Sequence, residues 1–263
     1  MYLLVMGYGA CMIDGYPFSP EVGFFVHATD ALAEASPEPI ERRAVSLGGF
    51  PVTRVVKHFE PRIISAGPAI VVLQFGSSDC VMPLSDRGPV RFLKRLLHAL
   101  RRPKPKSCST GASSSSLSTR DELHPPTMRD RIRWHMASAI GLVTPLKPRT
   151  EIEQYLAAMR QMIERCITDD IRVVVLSPFP FANRHCGLSA EYFSHRLAEL
   201  CRNYEKATFV DCLSPFIGLP KERVLLSDGM HLSIEAHRIL GTVVSEVLKS
   251  ITVSPPIPAQ TDA

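Results

Sequence analysis

The sequence predicts an α/β protein built on one doubly wound parallel sheet of about five strands. Three observations carry that reading. Five short stretches, Leu3–Met6, Arg42–Leu47, Ala69–Phe75, Arg172–Leu176 and Ala207–Val210, have the length of strands, and the first, third and fourth are nearly all apolar. Segments with apolar residues at helical spacing separate them, and alternating strands and helices imply a parallel sheet covered on both faces. The first three stretches each run into glycine, at Gly7, Gly48 and Gly76, which marks a tight turn leaving the sheet.

Taken in order, Leu3-Leu4-Val5-Met6 is a strand that Gly7-Tyr8-Gly9 closes. Ser19-Pro20-Glu21 then supplies an N-cap, a proline at the first helical position and a first-turn acid, so a helix is expected from there to Leu32. A second strand covers Arg42–Leu47, and a short helix is expected over Val52–Phe59. Ala69–Phe75 is the clearest strand of the first half. Val90–Leu100 has a helical apolar spacing with Arg and Lys opposite. Residues 103–127 change character, with Lys-Pro-Lys, four serines at Ser113–Ser116 and Pro125-Pro126. Such a stretch buries too little apolar surface to order itself, and is read as a flexible insertion. The alternation resumes with a helix at 150–167, a strand at 172–176, a helix at 189–203, a strand at 207–210 and a helix at 233–250. Residues 1–251 are therefore expected to be a single domain, and 252–263 a disordered tail.

Composition narrows the function classes. The chain has 263 residues, 45% of them hydrophobic, enough for a core without cross-links. Its formal charge of +4 gives no independent reason to invoke nucleic acid. The basic stretch from Arg87 to Lys106 reads as a solvated helix face running into the insertion, although an anionic surface would feel it. No apolar run approaches the roughly 20 residues of a membrane span. The run Met1–Met6 lacks a basic flank and is too short for a signal peptide, so a cytoplasmic protein is expected. The seven cysteines are dispersed and form no CxxC pair. That pattern argues against a disulfide framework or a zinc cluster and suits buried apolar thiols. No metal, nucleotide or other cofactor is expected.

In doubly wound sheets, ligands bind beyond the carboxyl ends of the strands. Four loops can meet there: Gly9–Gly15, Leu47–Phe50, Gly76–Asp79 and, ahead of the last helix, Ser227–Leu232. The order and spacing of these blocks resemble the SGNH, or GDSL-type, hydrolase family. Gly9-Ala10-Cys11, with Gly15 four residues on, stands where that family has Gly-Asp-Ser and its following Gly. Gly49 or, with less weight, Gly48 matches the glycine of the second block. Gly76-Ser77-Ser78-Asp79 matches Gly-x-Asn-Asp, and Asp228-Gly229-Met230-His231 meets Asp-x-x-His in full. The resemblance implies a three-layer α/β/α, flavodoxin-like fold and cleavage of acyl or carbohydrate esters, with transfer to an alcohol as a close variant. Two departures stand out: Cys11 replaces the nucleophilic serine, and Ser78 replaces the oxyanion-hole asparagine.

By that resemblance Cys11 is the nucleophile, His231 the base and Asp228 the carboxylate that orients the imidazole. The backbone N–H groups of Cys11 and Gly49 and the Ser78 hydroxyl would receive the oxyanion. Each residue also has a plainer reading. Cys11 could be a buried thiol, His231 a capping or surface histidine, Asp228 the N-cap of the last helix, and Ser78 a turn serine. Asp79 reads as a turn or network residue. His185 and Cys186 read as part of a solvated loop, and Ser177–Phe181 as a rigid wall of an acyl or alcohol pocket. A small acylated or carbohydrate ester is the expected substrate. The second reading, favoured by the two replacements, is an inactive module of the same fold that binds an acylated or glycan ligand or a protein.

Overall fold

The computed structural model describes residues 2–81 and 148–253. Five strands form one parallel sheet: β1 Leu3–Gly9, β2 Ile40–Ser46, β3 Ile70–Gln74, β4 Arg172–Leu176 and β5 Ala207–Val210. Their spatial order is β2-β1-β3-β4-β5, and every adjacent pair is parallel. The helices are α1 Phe24–Ala35, α2 Val52–Val55, α3 Phe59–Arg62, α4 Ser77–Cys80, α5 Ile152–Thr168, α6 Arg184–Cys201, α7 Lys221–Val224 and α8 Ile234–Val253.

Side chains alternate across the central strands, so the sheet divides two cores. Met6, Tyr8, Val71, Leu73, Val173 and Val175 face one layer, with Met159, Ile163, Phe193 and Leu197 of α5 and α6. Val5, Ile70, Val72, Val174 and Leu176 face the other, with Phe24, Phe25, Leu240 and Val244 of α1 and α8. Burial on both faces is why these strands read as unbroken apolar runs rather than as an apolar–polar alternation. The expected three-layer α/β/α, flavodoxin-like sheet is the one observed.

The elements differ from expectation in informative places. β1 does not turn at Gly7 but continues through Gly9, paired with both neighbours. Tyr8 is fully buried there, and its hydroxyl donates to the Val55 carbonyl at 2.7 Å. The Ser19-Pro20-Glu21 signal produces only a 3-10 turn over Pro20–Val22, after which α1 starts at Phe24. Ser19 makes no capping bond; the Phe24 N–H donates instead to Nδ1 of His237, at 3.2 Å. The helix expected over Val52–Phe59 is broken into α2, a 3-10 turn and α3. α6 starts five residues ahead of the expected 189, because Asn183 caps it by accepting the N–H groups of His185 and Cys186. His185 and Cys186 therefore lie in its first turn, not in a solvated loop. α8 runs on into the expected tail as far as Val253, and the Thr252 hydroxyl donates back to the Leu248 and Lys249 carbonyls. The helix expected at Val90–Leu100, the basic stretch, the insertion at 103–127 and the rest of the tail lie outside the described residues. Among the described residues no helix is long and apolar enough to cross a membrane.

Candidate active site

The strand register lines up the carboxyl ends in one row: Ser46, Gly9, Gln74, Leu176 and Val210. The four expected loops leave from or reach this rim. The strand order reverses between β1 and β3, which is the switch point where such sheets take ligands.

Cys11 starts a 3-10 turn, Cys11–Asp14, two residues past the end of β1. The preceding N–H, that of Ala10, donates to the Gln74 carbonyl at 3.0 Å and ties the turn to β3. His231 sits on a loop closed by the Leu225–Leu232 bridge and by a bond from the Leu226 N–H to the His231 carbonyl, at 2.8 Å. Residues 220 apart in the chain meet at this point: the Cys11 Sγ lies 3.7 Å from His231 Nε2. The other ring nitrogen, Nδ1, is 2.5 Å from Oδ2 of Asp228. Oδ1 of the same carboxylate accepts the N–H groups of Met230, at 2.9 Å, and His231, at 3.0 Å. Asp228 is thus fully used within its own loop. Ser233 caps α8 instead, accepting the Ala236 N–H at 3.0 Å.

Electrostatics follow from this geometry. Burial works against the charge on Asp228, but the bonds from the His231 ring and from the two N–H groups outweigh it and hold its pKa down to about 2. Burial also works against protonation of His231, and the Asp228 and Cys11 contacts outweigh it, raising its pKa to about 9. The deeply buried thiols behave otherwise. Burial alone pushes Cys201 up to about 12, and burial with Asp169 nearby does the same to Cys166. Cys80 and Cys212 are likewise raised, first by burial. Cys11 is only half-buried and carries an imidazole partner.

The remaining two expected residues also face each other. Ser78 lies in α4, which starts directly after Gly76; that glycine has φ +110°, a turn only glycine makes cheaply. A Cβ added to Gly49 would meet the Ser78 hydroxyl oxygen at 3.8 Å and no other heavy atom within 4 Å. Gly48, the lesser candidate, takes the left-handed turn before it, with φ +61°.

Some neighbours carried no sequence signal. The Tyr16 ring stands edge-on to the His231 ring with centroids 5.0 Å apart, half exposed at the mouth. Arg149 Nη1 donates to the Gly49 carbonyl at 3.0 Å. Asp79, read as a turn or network residue, is fully buried and accepts the Val52 N–H and the Thr150 hydroxyl. Burial raises its pKa against those bonds. In the expected pocket wall, Ser177 and Phe179 are structural: the Ser177 hydroxyl accepts the Cys212 N–H, and the Phe179 N–H donates to Ser77. Pro180 and Phe181 do line a cleft of about 610 Å³ beyond β5, but Cys11 and His231 do not. Among the described residues no group of three His, Cys, Asp or Glu is placed to hold a metal ion.

No family model and no curated protein matches the sequence. Solved structures do match its shape. A lipase/acylhydrolase from Enterococcus faecalis is 12% identical with a TM-score of 0.62, covering 95% of this chain and 96% of its own. A catalytic mutant of an acetylxylan esterase from Geobacillus stearothermophilus is 14% identical with a TM-score of 0.59, covering 92% and 93%. A GDSL-like lipase from Bacteroides thetaiotaomicron is 14% identical with a TM-score of 0.55, covering 94% and 88%. The chain has the α/β fold of the SGNH, or GDSL-type, hydrolases, as the block order led one to expect.

Proposed function

We propose that the protein is an SGNH-type hydrolase that cleaves acyl or carbohydrate esters through Cys11, His231 and Asp228. The observation that carries this reading is the 3.7 Å approach of the Cys11 sulfur to His231 Nε2, with the imidazole anchored behind by Asp228. A chance buried thiol has no need of a carboxylate-oriented histidine.

The chemistry runs in two halves. His231 Nε2 takes the Cys11 proton, and the sulfur attacks the ester carbonyl carbon. The oxygen of the tetrahedral intermediate is received by the N–H groups of Cys11 and Gly49 and by the Ser78 hydroxyl. As the intermediate collapses, the C–O bond breaks and the alcohol leaves with the proton held by His231. Water then gives a proton to His231 and attacks the acyl-thioester, releasing the acid and restoring the thiol. Asp228 keeps the proton on Nδ1, so that Nε2 is the nitrogen that exchanges protons with the sulfur. An alcohol in place of water makes the same acyl-enzyme an O-acyltransferase.

Short-chain p-nitrophenyl esters with and without iodoacetamide test the reading. Turnover should be abolished by alkylation, and Cys11→Ala or His231→Ala should lower kcat by on the order of 10³-fold or more. Ser78 offers one donor hydrogen where an asparagine amide offers two. Replacing Cys11 by Ser and Ser78 by Asn together should therefore raise oxygen-ester hydrolysis. The replacements at these two positions also favour a second reading, a binding module of this fold without turnover. Inert wild-type protein that still binds an acylated or glycan ligand would select it.

A further inference from the structure

We propose that Arg149 and Asp79 are positioning residues for the oxyanion hole, forming a hydrogen-bonded clasp that fixes the Gly49 loop against Ser78. The inference rests on the hydrolase reading of the same site.

The loop itself has little to hold it. Gly48 and Gly49 are consecutive glycines, a Cβ on Gly48 would meet nothing within 4 Å, and Gly49 is exposed. Such a dipeptide samples many conformations and loses more entropy on ordering than any other pair. An oxyanion donor works only when it is held in place before the charge develops. The restraint must therefore come from outside the loop.

It comes from two anchors that follow the donor along the chain. First, the Gly49 carbonyl accepts Nη1 of Arg149 at 3.0 Å. Then, three residues along, the Val52 N–H donates to both oxygens of the Asp79 carboxylate, at 3.1 and 3.3 Å. Both anchors lead to the same residue. The Arg149 N–H donates to the Asp79 carbonyl at 3.0 Å, and the Thr150 hydroxyl donates to Asp79 Oδ1 at 2.6 Å. Asp79 directly follows Ser78. The circuit Gly49, Arg149, Asp79, Val52 closes on itself, and it refers the Gly49 donor to the backbone that carries the Ser78 donor.

The choice of residue at 79 points the same way. Asp79 has no exposed surface, and a carboxylate is a costly way to fill a core. An apolar residue of similar volume would hold three segments together at least as well but could not aim an N–H group. Directional, charge-assisted bonds are what the site gains from a buried carboxylate.

The test uses the whole chain, wild type against Arg149→Ala, Arg149→Lys and Asp79→Asn. Three measurements are compared: kcat and KM on p-nitrophenyl acetate, the rate of Cys11 alkylation by iodoacetamide, and hydrogen exchange of segments 47–52 and 226–232. Alkylation displaces iodide at a saturated carbon and needs no oxyanion donor. Arg149→Ala should lower kcat about tenfold, less than deletion of a donor itself, with KM unchanged. Its alkylation rate should not move, and Arg149→Lys should restore most of kcat. Exchange in 47–52 should rise about tenfold, with 226–232 unchanged. Asp79→Asn should act in the same direction. A wild type that is inert on esters ends the hydrolase reading but leaves the clasp to the exchange measurement. The clasp is overturned by unchanged exchange in 47–52. It is also overturned, in an active enzyme, by unchanged kcat, or by a loss of kcat that alkylation shares.

Discussion

Asp228 spends three acceptor bonds on a loop of four residues, and all three end on His231 or its neighbour. The same carboxylate sets both the tautomer of the imidazole and the affinity of that imidazole for a proton. Asp228→Asn removes the charge and keeps the shape. The His231 pKa should fall from about 9 towards its ordinary 6.5, read by NMR titration of the ring protons. On the hydrolase reading kcat should fall by on the order of 10²–10⁴-fold. At this scale the sequence was legible wherever a residue belongs to a spaced block. Cys11, Asp228, His231, Gly49 and Ser78 could all be named before any coordinates. Tyr16, Arg149 and Thr150 could not, because their roles come from which segments happen to adjoin in space. No spacing rule marks an arginine that reaches back 100 residues to a glycine carbonyl.

Helix termini and helix crossings tell a similar story. α6 begins at Arg184, and the side chain of its N-cap, Asn183, takes two otherwise unpaired N–H groups. Asn183→Ala should cost about 1 kcal/mol in urea unfolding, the usual loss for a cap. The helix runs on through Gly187 without a break. α1 and α8 pack against each other through a close approach at Gly241. A Cβ there would lie 2.6 Å from the His27 Cβ and 3.2 Å from the Phe24 carbonyl oxygen. Gly241→Ala should therefore force the helices apart and destabilise the protein by about 1–3 kcal/mol, despite alanine's better helix propensity. A mid-helix glycine gives no hint in sequence of which neighbour it admits. The strands were easier: β3, β4 and β5 fall within a residue of their expected bounds, and in β3 and β4 burial on both faces leaves a nearly unbroken aliphatic signature.

For the molecule as a whole, acid should be more damaging than its surface charge suggests. His237 is fully buried between Phe18 and Phe24 and accepts the first N–H of α1. Burial, with His27 and His231 nearby, holds its pKa down to about 4 against an ordinary 6.5. Between those values the unfolded chain binds a proton that the folded chain refuses. The contribution is fully present above pH 6.5 and is lost as pH falls towards 4. The urea midpoint should drop between pH 7 and pH 4.5. In His237→Gln, less stable at every pH, this part of the slope should disappear. The overall architecture was legible from the alternation of elements and the order of four loops; this buried histidine was not, since its neighbours come from both ends of the chain.

The backbone around Arg149 has one more effect. Its N–H is shared between the carbonyls of Asp79, at 3.0 Å, and Val81, at 3.1 Å. The chain thus departs at Val81 and re-enters at Pro148 through a single stitched doorway beside the Gly49 and Ser78 corner of the candidate site. A pull on either side of that doorway is therefore felt at the backbone that carries Ser78.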